Sequence, residues 1–177
     1  MIRRISTPFI GPDATDTELA LAWGTAVLAA VAQAATAVTL GWSAVQLAVA
    51  VAFAADVGGG VVVNATRAGS RYWNRPERSS RALFYAAHIH PLVIGAMWPE
   101  VSLWSALSVY AGVMLCATAL SATPLPLKRP MAALLTGVGL VVAPLATFPA
   151  GLDWIPGLLL LKLIAGHGVP ETDRSLA

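Results

Sequence analysis

Residues 43–66 read SAVQLAVAVAFAADVGGGVVVNAT, and residues 67–81 read RAGSRYWNRPERSSR. The first string is a run long enough to cross the hydrocarbon of a bilayer, broken by a single charge at Asp56. The second carries five arginines and two aromatic residues. An apolar run closed by such a cluster is a membrane span followed by a segment retained on the cytoplasmic side.

The rest of the chain repeats this grammar. Outward from 43–66, further apolar stretches fall at 19–41, 82–98, 101–121, 130–148 and 152–166. The sixth is short for a span, and Pro144 is expected to kink the fifth. Only 11% of the 177 residues are charged, against about a quarter in a soluble domain, and 57% are hydrophobic. Mean hydropathy is +0.71. The expected fold is an all-α polytopic bundle of about six transmembrane helices in one domain, residues 19–166. A polar segment, 1–18, precedes it and a tail, 167–177, follows. No short apolar run with a small-residue cleavage site occurs near the start, so the first span is read as the targeting signal.

Orientation follows from the basic residues. With both termini inside, segments 1–18, 67–81, 122–129 and 167–177 hold ten of the eleven Lys and Arg residues. The opposite side holds none, and Lys162 is expected to snorkel from the last span toward the cytoplasm. The net charge of +2 is thus topological and is not read as a nucleic-acid surface. Arg, Ala and Val are abundant, a composition that resembles GC-rich bacterial proteins, and the expected location is the bacterial cytoplasmic membrane.

Chemistry is sought among polar residues at membrane depth, where an ionisable group costs about 2.5–3.5 kcal/mol on insertion scales. Asp56 is the sharpest case. Ala52, Asp56, Gly60 and Asn64 share one helical ridge, and small residues there admit a neighbouring helix. The carboxylate is therefore expected to face the bundle interior, and Gly58–Gly60 to weaken the helix. The third span contains His88-Ile89-His90-Pro91 at similar depth. In a regular helix the two imidazoles diverge; a kink at Pro91 would bring them to one site. Asn64, Cys116 and Lys162 are the supporting polar candidates. Gln33, Gln46 and Tyr110 are read as interhelical hydrogen-bonding groups, and His167 as a solvated residue at the cytoplasmic exit.

Three functions fit this pattern. Asp56, His88 and His90 form a donor set suited to a divalent metal, zinc or iron, acting on a lipid or apolar substrate. The same groups suit a proton- or cation-conducting transporter or channel component, with oligomerisation supplying the repeat that the chain lacks. The third function is a non-catalytic accessory subunit. There the basic segment, through Arg67, Arg71, Tyr72, Trp73, Arg75, Arg78 and Arg81, would hold anionic lipid headgroups or a partner protein. Nucleotide-binding, nucleophile-elbow and zinc-finger motifs are missing from the sequence.

Overall fold

The computed structural model describes residues 2–75 and 81–170. Every regular element among them is helical: α1 (Ile2–Ile10), α2 (Asp16–Thr39), α3 (Ala44–Ala65), α4 (Arg67–Trp73), α5 (Arg81–Ala86), α6 (His90–Met97), α7 (Leu103–Ala122), α8 (Lys128–Val142) and α9 (Ile155–Leu160). The last of these runs on as a π-helix over Leu161–His167. Four segments are long and apolar enough to cross a membrane: α2, α3, α7 and Leu125–Leu145, which is α8 with a 3-10 turn at each end. The third and sixth apolar stretches form shorter helices, Ala82–Met97 and Ile155–His167.

The long helices start where a side chain satisfies the free amides of the first turn. Thr15 and Glu18 form a reciprocal capping box on α2, and Ser43 and Gln46 form another on α3. Glu18 also accepts from the Ala68 amide at 3.3 Å, tying the start of α2 to α4. At Pro144 the expected kink takes the form of a 3-10 turn, Ala143–Leu145, after α8.

The glycine run does not interrupt α3, contrary to the expectation of a local weakness. Methyl groups added at Gly58 and Gly59 would stand 2.9 Å from the Cβ atoms of Ala29 and Ala26. The missing side chains let α2 and α3 pack almost backbone to backbone, and α3 runs unbroken through this contact. The main core gathers Val57, Ile94, Trp98, Leu120, Leu152, Ile155, Leu159 and Ile164 around α9 and the π-helix. The short sixth stretch is thus the buried centre of the bundle, and the longer helices surround it.

Two features of the basic end lie beyond the sequence reading. Residues 2–10 form a helix, whose Ser6 accepts from Trp23 Nε1 at 2.8 Å. Half of the arginine segment is helix α4, which docks beneath it: Trp73 Nε1 donates to the Phe9 carbonyl at 2.7 Å. Arg67 opens α4, Arg71 lies in its last turn beside Tyr72 and Trp73, and Arg81 opens α5. Arg75 pairs with Asp13 at 3.7 Å and lies over the Tyr72 ring. Both partners are well exposed, so the pair adds little stability. Arg78 lies outside the described residues.

Candidate functional site

Three elements meet around Asp56: the middle of α3, the break between α5 and α6, and the start of the π-helix. Asp56 stands about 18 Å along the helix from Ala44 and about 13 Å from Ala65, near mid-span. Its Oδ2 accepts from Lys162 Nζ at 2.6 Å and from His90 Nε2 at 3.1 Å. The Lys162 ammonium also lies 3.3 Å from the Asp56 carbonyl oxygen.

Each partner arrives through a local departure from regular helix. Between Ala86 and His90 the chain leaves the α-helical path: His88 N–H bonds the Tyr85 carbonyl, and Ile89 N–H bonds that of Ala87. Pro91 drives this break, because it has no amide hydrogen and is accepted at the first turn of α6. Tyr110 donates its hydroxyl to the Ala86 carbonyl at 2.9 Å, capping α5 from α7. The break places the His88 and His90 rings 5.6 Å apart, tilted by 30°. In an unbroken helix they would point to opposite sides.

Lys162 sits in the π-helix, whose wider turn bonds the Gly168 amide to the Leu163 carbonyl five residues back. Asn64 Nδ2 donates to the Lys162 carbonyl at 2.9 Å, and Gly166 gives Asn64 room to do so. Gly60, one turn beyond Asp56, leaves space for the lysine stem; an added methyl there would collide with Lys162 Cε. The small-residue ridge on α3 therefore accommodates a cation, a role the sequence reading did not assign to it.

The site differs from expectation in four respects. Lys162 does not snorkel: its side chain is 5% exposed and directed at Asp56. The carboxylate is not enclosed by the rest of the chain, with 53% of the Asp56 side chain exposed. Its Oδ1 accepts no hydrogen bond from the described residues. His167 is 1% exposed and stacked on Phe84 at 4.0 Å, not solvated. Cys116 stands apart, lining an uncharged groove of about 740 Å³ between α7 and α8 with Gly112, Leu135 and Gly139.

The remaining polar candidates join helices. Trp154 Nε1 donates to Gln33 Oε1 at 3.0 Å, and Gln46 Nε2 donates to the Met97 carbonyl at 3.2 Å. His88 does not contact Asp56; its Nδ1 donates to the Phe84 carbonyl at 2.7 Å. Among the described residues no three His, Cys, Asp or Glu side chains form a group able to hold a metal ion.

Protein-family models, curated proteins and solved structures yield no match.

What the arrangement can do follows from charge. An ionised carboxylate and an ammonium together near mid-span neutralise each other, and each depends on the other to stay charged there. Protonating Asp56 removes the attraction and leaves Lys162 a buried cation without its counter-charge. Proton occupancy at one atom therefore sets the force between α3 and the π-helix.

Proposed function

We propose that this chain is a small six-span protein of the bacterial cytoplasmic membrane, with both termini inside, that transfers protons through Asp56. The observation that carries the reading is the Asp56 carboxylate itself. One oxygen, Oδ2, is held by Lys162 and His90, while Oδ1 accepts no hydrogen bond from the described residues. A purely structural ion pair gains from enclosing both partners. A proton carrier needs an oxygen left free to take the proton, as Oδ1 is here.

The alternation of basic and charge-free connections supports six spans and their direction. Helix α1, with Ile5 and Phe9 exposed beside Arg4, suits a helix lying in the headgroup layer. Together with α4 it would rest the cytoplasmic end on anionic lipid. In the transfer cycle a proton binds Asp56, the neutral acid releases Lys162, and the π-helix shifts until the proton leaves and the pair reforms. The wide π turn, held at the Lys162 carbonyl by Asn64, is the element able to move by a small register change.

The test is proton flux into proteoliposomes under an imposed potential, read with an enclosed pH-sensitive dye. The wild type is expected to acidify the lumen faster than protein-free vesicles, and Asp56→Asn to fall to the protein-free rate while eluting as a folded species. Wild-type flux at the protein-free level, or full flux in folded Asp56→Asn, would remove this function.

A further inference from the structure

We propose that the groove between α7 and α8 holds one acyl chain of an outer-leaflet phospholipid, with its ester end beside Ser102–Ser108 and its methyl end at Cys116. The inference rests on the membrane orientation proposed above and is independent of proton transfer at Asp56.

The two helices are tied at both ends of the groove. At one end Ser105 Oγ donates to the Thr147 carbonyl at 3.0 Å, and at the other Lys128 Nζ donates to the Leu120 carbonyl at 2.9 Å. Between these ties lies a space of about 740 Å³, also lined by Pro156 and Leu160 of α9. Its α7 wall runs from Ser102 to Cys116, about 21 Å at the helical rise. That is the depth of one leaflet with its headgroup layer, half of a bilayer about 40–45 Å thick. Volume over this length gives a mean cross-section of about 35 Å², or about 7 Å across. A helix with its side chains is about 10–12 Å wide, too broad to seat at the back of the groove. Packed carbon atoms stand about 3.5–4.0 Å apart, so a single hydrocarbon chain fits between the walls.

Polarity changes along the groove as it does along a lipid. Ser102, Ser105 and Ser108 place hydroxyls at one end, with Thr147 opposite; beyond Ser108 the lining is apolar as far as Cys116 and Leu134. None of the lining residues is charged, so the groove matches the chain and the ester region, and no headgroup is selected. Gly112 adds a second observation. The glycines of α3 each face a close neighbour, but a methyl group at Gly112 would meet nothing within 4 Å. This residue lowers helix propensity without serving helix packing, and its bare backbone keeps the middle of the groove clear.

The probes are two phosphatidylcholines with a diazirine in one acyl chain, near the ester in the first and at the terminus in the second. The full-length protein is reconstituted with each, extracted into dodecyl maltoside, freed of bulk lipid by gel filtration and irradiated. The terminal probe should label Cys116 or Leu135, and the ester-proximal probe the Ser102–Ser108 turns. Neither should label Leu28, which is 72% exposed on α2. Equal labelling of Leu28 would show ordinary lipid contact only and overturn the site, as would a reversed order of the two probes or no adduct at all. A dimer that excludes both probes would assign the groove to a second copy and overturn it too. Gly112→Leu fills the groove and should lower the adduct about tenfold, whereas Gly137→Leu, equally unhindered but outside the lining, should retain it. Equal adducts in these two variants would overturn the proposal. The readout involves no flux, so a protein that moves no protons can still pass it.

Discussion

Removing Lys162 and Asp56 separately and together measures how far the bundle depends on their charge. At 2.6 Å and an effective dielectric constant near 20, the direct attraction is about 6 kcal/mol, much of it offset by the cost of drawing both groups out of water. Breaking such a pair by deleting one member leaves an uncompensated charge and costs about 3–5 kcal/mol. Lys162→Met should fall near 3 kcal/mol, because the stranded carboxylate keeps His90 and its open side. Asp56→Asn should cost more, toward 5 kcal/mol, because the stranded ammonium is 4% exposed. The double variant removes both charges, and its loss should be well below the sum of the two, a coupling of about 3 kcal/mol. In thermal unfolding in micelles, the single variants should lower the midpoint by roughly 6–20 °C. The double variant should fall no lower than Asp56→Asn alone. Additive losses, with coupling under about 0.5 kcal/mol, would show that the pair does not hold α3 to the π-helix and would refute the argument.

Two further outcomes follow from the same geometry. Gly60→Ala removes no charge and raises helix propensity by about 1 kcal/mol, yet its methyl occupies the path of the lysine stem. It should displace Lys162 from Asp56 and lower both the melting midpoint and proton flux; a midpoint raised with flux intact would show that the stem has room to move aside. For the topology, a reporter fused after Ala177 should be active on the cytoplasmic side and one inserted between Pro99 and Glu100 on the opposite side. A C-terminal signal from outside would refute the even number of spans.

Much of the fold was written in local chemistry. Long apolar runs, capping residues at Thr15 and Ser43, and the confinement of arginine to alternate connections are properties of neighbouring residues. They give the four long helices without reference to tertiary contact. Helix α1 is the exception: its apolar positions Ile2, Ile5, Phe9 and Ile10 are visible in the sequence, but nine residues with a proline need a partner surface, and α4 supplies it. The glycine run misled for a related reason. Glycine lowers helix propensity by itself, and only the facing alanines of α2 turn it into a packing surface.

The candidate site divides along the same line. That Asp56 would need a counter-charge was legible, since an unpaired carboxylate at that depth is costly, and Pro91 marked where a helix would break. Lys162 was among the candidates, but that it answers the acid directly was not legible. Lys162 lies 106 residues away, and its direction depends on a π turn, on Asn64 gripping its carbonyl and on the absence of a side chain at Gly60. Sequence alone set the position of each polar group along its own helix, because that position is a count of residues. Side-chain direction across the bundle depends on how separate helices meet, so only the tertiary structure decided that the acid faces a lysine, with one imidazole beside it and its other side open.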